Sequence, residues 1–259
     1  MILDYNKDKW GELSLKYLVI DSEEYIVFID TENHIDWITS DDYDKTKRDE
    51  KKHLDILHKI AVLECKPNEG LSEKVIIDFK RLLGEALSCS FCHSYETAEN
   101  IILDAEKYIQ NRGEELSRLW YLSTAGNFTL IVVIFGIIAW ILKDCFIYFL
   151  GKTFFECSLS MVVGSLGALL SIIMRMGEEK LDIHAGKLIH KLEAKYRIIA
   201  GMLSALLVVF AISSEIIFPM FLKVENPNIF LLLISFIAGM SERLAPSISS
   251  KLIEKNESE

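Results

Sequence analysis

Apolar residues are spread unevenly along this chain: from Phe128 onward they form four long stretches, while before it they recur in short periodic patterns. The stretches run 128 to 151, 157 to 174, 198 to 222 and 229 to 249. A bilayer core of about 30 Å takes roughly 20 mostly apolar residues in a helix, with about 17 to 25 as the usual range. Backbone amides in lipid find no water, so each stretch must close its hydrogen bonds as a helix. The pattern predicts an integral membrane protein, mostly α: a four-helix transmembrane bundle over 125 to 250, an N-terminal α+β domain over 1 to 124, and a polar tail over 251 to 259. Lys143 and Asp144 interrupt the first stretch.

The N-terminal half changes period twice. Segments 13 to 21 and 23 to 31 are rich in β-branched and aromatic residues and meet at Ser22, which predicts a hairpin, with 34 to 38 as a third strand. Ser40, Asp41, Asp42 and Asp44 then read as an acidic loop. Helical spacing follows in Leu54, Leu57, Ile60 and Ala61, breaks over 66 to 70, and resumes in Val75, Phe79, Leu82, Leu83 and Ala86. A third helix is expected from Thr97, carrying Ile101, Ala105, Ile109, Leu116 and Trp120, with Trp120 and Tyr121 as an aromatic pair suited to the headgroup layer.

Charge sharpens this division. The chain has 28 Lys/Arg and 38 Asp/Glu, a formal charge of −10; residues 1 to 124 hold 16 against 26, so the whole excess of acid lies in the N-terminal domain and the remainder balances at 12 against 12. Phosphate contacts require clustered Lys/Arg, so nucleic acid is excluded as a partner and the acidic domain is not expected to dock on anionic lipid. Arg175, Lys180, Lys187, Lys191, Lys195 and Arg197 crowd the loop between the second and third stretches, whereas the other two loops offer Lys143, Lys152 and Lys223. The positive-inside rule then puts that loop, both termini and the acidic domain in the cytoplasm of a cell whose inner membrane holds the bundle. The opening MILDYNKDKW lacks the features of a signal peptide.

Candidate chemistry is sparse. Cys89, Cys92 and His93 spell CxxCH, the haem c attachment pattern, but haem c is attached on the other side of the membrane. Zinc would need a second close pair of ligands, with Cys65 as a distant third sulfur. The simpler expectation sets the three residues at i, i+3 and i+4 along a helix as packing groups. The acidic patch lacks a calcium loop's glycine, and Cys145 and Cys157 flank the first outer loop within possible reach of a disulfide. No Walker loop, Rossmann glycine pattern, nucleophile elbow or zinc-protease histidine pair is present, so no enzyme activity, cofactor or metal is expected.

Two features of the bundle are more specific. Ser160, Gly164 and Ala168 stand at four-residue intervals, and Gly167 and Ser171 repeat the interval on an adjoining face; Gly201 with Ala205 and Ser235 with Gly239 add shorter versions. Small residues at this spacing let helix backbones approach, either within one chain or between copies. Ionisable groups inside spans are costly, about 2.5 to 3.5 kcal/mol each at mid-bilayer on insertion scales. Glu242 and Arg243, beside Ser241, fall roughly 14 residues into the fourth span, about 20 Å from its start, with Arg175 as a candidate partner; Glu215 falls near the outer end of the third. They are interfacial anchors or part of a polar pathway.

The run Leu181, Asp182, Ile183, His184, Ala185, Gly186, then Leu192, Glu193, Ala194, Arg197 and Gly201, with the ending Gly239, Ser241, Glu242, Arg243 and Pro246, resembles a broad set of poorly characterised bacterial four-span membrane proteins. The likeness spans roughly 160 to 250 and implies no established activity. A weaker resemblance is to membrane effectors of bacterial anti-phage systems, which couple a cytosolic sensing domain to a bundle that disturbs the membrane. Two function classes follow: an oligomeric, channel-like effector in contact with lipid and with a cytosolic protein or signal, or an anchor that holds the acidic domain at the membrane. No convincing inverted repeat marks a transporter.

Overall fold

A computed structural model describes residues 5–45, 49–177, 185–213 and 226–241. By internal contacts the chain divides into two units, Met1–Leu116 and Ser117–Glu259. The division falls inside one helix.

The first unit is built on a three-stranded antiparallel meander, β1 (Leu15–Asp21), β2 (Tyr25–Asp30) and β3 (Ile35–Thr39), in that order. Val27 pairs with Trp37 and Ile29 with Ile35, and irregularities interrupt the β1–β2 register twice. Strand β2 is central and buries five successive residues, Tyr25 to Ile29, so both its faces are covered. On one face lie Ile26 and Phe28, packed with Trp10 from the short helix α1 (Lys7–Trp10), whose indole N–H donates to Asp21 at 2.7 Å. On the other, Val27 meets α4 (Glu73–Phe91), where Gly84 leaves room for Val19 and Val27. Helix α3 (Glu50–Glu64) and the first turns of α5 (Tyr95–Ile141) complete this core with Ile56, Ile60, Ala98, Ile102, Ala105 and Ile109.

A buried ion pair ties these layers. Lys80 of α4, 6 % exposed, lies 2.9 Å from the Glu64 carboxylate and donates to the Asn33 carbonyl; the same carboxylate oxygen accepts the Ile35 N–H at 3.0 Å. That bond, with Trp37 N–H donating to Asp36 at 2.9 Å, occupies donors of the sheet's outer strand and blunts it against adding another strand.

Three expectations change here. Asp41–Asp44 is a short helix, α2, because the Ser40 side chain caps it by accepting the Tyr43 N–H, and the buried Tyr43 hydroxyl donates to the Phe91 carbonyl at 3.1 Å. Helix α3 turns His53, Ile56, Ile60 and Leu63 inward, leaving Leu54 62 % exposed. Cys89, Cys92 and His93 do not share a helix: α4 stops at Phe91, Cys92 caps it, and His93 takes the left-handed conformation at φ 60°.

The second unit takes the remainder of α5 with α6 (Lys143–Leu150), α7 (Lys152–Arg175), α8 (Lys187–Ser213) and α9 (Pro227–Met240). By length and composition α5, α7 and α8 can cross a membrane, whereas the described part of the fourth stretch is a shorter apolar helix of 14 residues. The first stretch is not one helix: α5 ends at Ile141 and α6 begins two residues later, at the Lys143 and Asp144 interruption. No such interruption occurs over 187 to 199, and α8 runs through it unbroken. The aromatic pair is split, since adjacent helical residues point about 100° apart. Tyr121 is buried with Ala125 against Ala168, Ile172, Ala194 and Ile198, while Trp120 stays half-buried with the Lys187 ammonium 5.5 Å from its ring.

Candidate functional site: a polar cavity at a three-helix crossing

Helices α7, α8 and α9 meet through backbone rather than side chains. A β-carbon on Gly164 would stand 2.8 Å from the Gly201 carbonyl oxygen and 2.5 Å from the Ala205 methyl. One on Gly239 would overlap the Gly164 carbonyl, and one on Gly167 would overlap that of Phe236. Helix α7 thus presents Gly164 to both neighbours and Gly167 to α9, and Ser160, Ala168 and Ser171 are buried along it. These small residues pack helices of the same chain.

Beside the crossing the seam opens into a cavity of about 170 Å³. Ala168 and Ser171 of α7 form one wall, Gly239 and Ser241 at the end of α9 another. The third comes from α8: Arg197, Gly201 and Ser204, at i, i+4 and i+7, share a helix face. The Arg197 guanidinium donates to the Tyr121 hydroxyl at 3.4 Å, linking α8 to α5. At about 30 Å³ per water in the liquid, the cavity has room for about five waters, and one guanidinium with three hydroxyls offers them donors and acceptors. This arrangement can hydrate a helix crossing or hold a small polar group.

Of the residues singled out by sequence, Ala168, Ser171, Gly201, Gly239 and Ser241 converge on this cavity, and Ser160, Gly164 and Gly167 lie in the seam beside it. Arg175 is the last residue of α7. Glu215, Glu242 and Arg243 lie outside the described residues. In the sequence Arg197 stands out as a loop charge and within the resemblance run, and Ser204 does not stand out; the signal for both is the polar or small residue recurring at i, i+4 and i+7 at the start of an apolar run.

The CxxCH segment is a helix ending. Ser94 N–H donates to Cys89 O at 2.9 Å and His93 N–H to Ser90 O at 3.1 Å, the paired bonds of a Schellman motif with His93 at its left-handed position. Burial pushes the Cys89 thiol pKa up, the opposite of what a reactive thiol needs. Cys145 and Cys157 are both free thiols, and among the described residues no three His, Cys, Asp or Glu side chains gather at metal-binding distance. His53, buried, is satisfied by the Ser90 hydroxyl at 2.8 Å.

No protein-family model matches the chain, and no curated protein or solved structure matches it either.

Proposed function

We propose that this protein is an oligomeric, channel-like membrane effector whose N-terminal domain, on the cytoplasmic side, controls the helical bundle. The observation that supports this most is α5. Ala98, Ile102, Ala105 and Ile109 of this helix belong to the core of the first unit, and Tyr121 and Ala125 of the same unbroken helix belong to the second. In this reading α5 is the element on which the N-terminal domain acts to control the bundle. The Arg197 cavity, joined to α5 through Tyr121, gives a movement of α5 a polar element to act on. Glu215, Glu242 and Arg243 extend the proposed polar pathway on sequence grounds, because ionisable groups within spans are costly unless used. A role in bacterial anti-phage defence rests on the weaker resemblance to membrane effectors alone.

The alternative of a membrane anchor draws support from the glycine seam, which brings the backbones of α7, α8 and α9 into close contact. Dye leakage from vesicles carrying the full-length protein separates the two. Each alanine inserted after Gly113 rotates the following helix by about 100°. In an effector, two inserted residues change leakage from the parent level, in either direction, and four restore it, since about 400° nearly returns the original phase. Leakage equal to that of empty vesicles across the whole series favours the anchor.

A further inference from the structure

Helix α6 buries none of its residues, although every one after Asp144 is apolar or aromatic. Ile147, Tyr148, Phe149 and Leu150 are all exposed, Tyr148 by 83 % and Phe149 by 75 %. Successive helical residues point about 100° apart, so these four look out on every side of the helix. A partner helix would cover one side and leave the others in water, whereas a bilayer supplies an apolar surrounding on all of them. We infer that α6 is a membrane-interface helix, lying in the plane of the bilayer at the boundary of headgroups and acyl chains, with lipid as its partner.

Length and height set this orientation. Eight residues at about 1.5 Å each reach about 12 Å, well short of a bilayer core of about 30 Å. Helices α5 and α7 meet at Gly136, where a β-carbon would stand 2.8 Å from the Val162 side chain, and the Trp140 and Phe155 rings, 6.2 Å apart, keep them together further on. From that glycine to the start of α6 the chain climbs about 10 Å, and from the start of α7 to Val162 it descends about 15 Å. The two ends of α6 therefore stand within about 5 Å of the same height, and the helix lies across its neighbours rather than continuing α5. Leu142, at φ −94° and ψ 22°, makes the bend. Charged groups mark both ends: Lys143 and Asp144 open α6, and Lys152, 3.6 Å from the Glu156 carboxylate, follows it. At one height both ends can meet the headgroups, lysine stems by snorkelling, and Trp140 and Tyr148 carry the amphipathic rings that favour that layer. The first span then ends near Leu142, and α6 holds the end of α5 at one depth. An outward shift of one helical turn, about 5.4 Å, would draw Tyr148, Phe149 and Leu150 towards water. This placement rests on the membrane reading of α5 and α7 and not on the effector reading.

Bimane labels on single cysteines at Ile147, Tyr148, Phe149 and Leu150 and, within α5, at Phe135 test it in the otherwise cysteine-free full-length protein; all five positions are exposed, so the labels load no core. The vesicles are phosphatidylcholine brominated either near the headgroup or near the ends of the acyl chains. Shallow bromines should quench the four α6 labels about twofold more than deep ones, while Phe135 shows the reverse order. Deep bromines quenching the α6 labels as strongly as shallow ones would make α6 part of the span. Quenching there by aqueous iodide alone would put it in water, and a label shielded from bromine and iodide alike would make a second copy its partner. Each of these results overturns the placement; if the Phe135 label also escapes bromine, the membrane reading itself fails with it.

Discussion

Gly239 has no room for a side chain, and Gly126 has it in excess: a β-carbon on the first would overlap the Gly164 carbonyl, while one on the second meets nothing within 4 Å. Gly239→Ala should therefore cost about 1 to 3 kcal/mol through overpacking. Gly126→Ala, in the interior of α5, should gain about 0.5 to 1 kcal/mol from the lost flexibility of glycine. Thermal unfolding of the two full-length variants in detergent should shift in opposite directions; equal shifts would mean that the crossing is looser than described. The spacing of Gly164, Gly167 and Ala168 was legible in sequence because small residues at helical intervals have few other uses in lipid. That Gly164 faces two helices at once was not, since spacing marks a face and not its neighbours. Tyr25 supplies a pH effect. Burial first, and its hydrogen bond with Cys92, push its pKa up to about 12, and its hydroxyl also lies 3.0 Å from that of Ser88. The unfolded phenol ionises near 10, so the folded state holds this proton more tightly. Its contribution is intact below pH ~10 and is lost as pH rises from there through about 12. Denaturant titrations at rising pH should show a steeper loss for the parent than for Tyr25→Phe; parallel curves would contradict the buried-phenol account.

Among the elements, the turn joining α4 to α5 explains the most conspicuous motif in the chain. His93 occupies a left-handed position that costs an L-residue about 1 to 2 kcal/mol and glycine little. His93→Gly should leave the turn intact and stabilise the first unit by up to about 1 kcal/mol, less the entropy of the unfolded glycine and the His93–Tyr95 contact at 3.3 Å. Chemical denaturation measures this directly, and a destabilised variant would show that the His93 ring has a structural task beyond the turn. Helices α3, α4 and α5 form where the apolar period puts them, but the inward face of α3 differs. Helix α3 carries Leu54 and Val62 outward as well as Ile56, Ile60 and Leu63 inward, so its apolar period does not select one side. His53 faces the core, where its Nδ1 lies 2.8 Å from the hydroxyl of Ser90, distant in sequence, and its ring 5.4 Å from that of Phe91. Likewise, two charges within the first apolar stretch read as an interruption of one span, whereas the backbone uses them to begin a separate helix.

For the whole molecule, composition placed the boundary near 124, where apolar residues take over, and contacts place it between Leu116 and Ser117. The two differ because packing follows a helix face and composition follows the surrounding medium. Between residues 117 and 129 the buried positions of α5 are Ser117, Tyr121, Ala125 and Thr129, a four-residue stripe that begins before the continuous apolar stretch. Helix α5 thus belongs to both units, and the proposed control of the bundle depends on its being unbroken. Spin labels placed singly at successive positions from Leu103 to Ile141, in a cysteine-free background in vesicles, test this most directly through their exposure to oxygen and to a water-soluble nickel chelate. One helix predicts a single period of about 3.6 residues that keeps phase through 111 to 119, with oxygen exposure rising in the apolar stretch beyond it. A loss of period or a phase jump in that interval would contradict the account, since a joint there would let the domain move without moving the bundle.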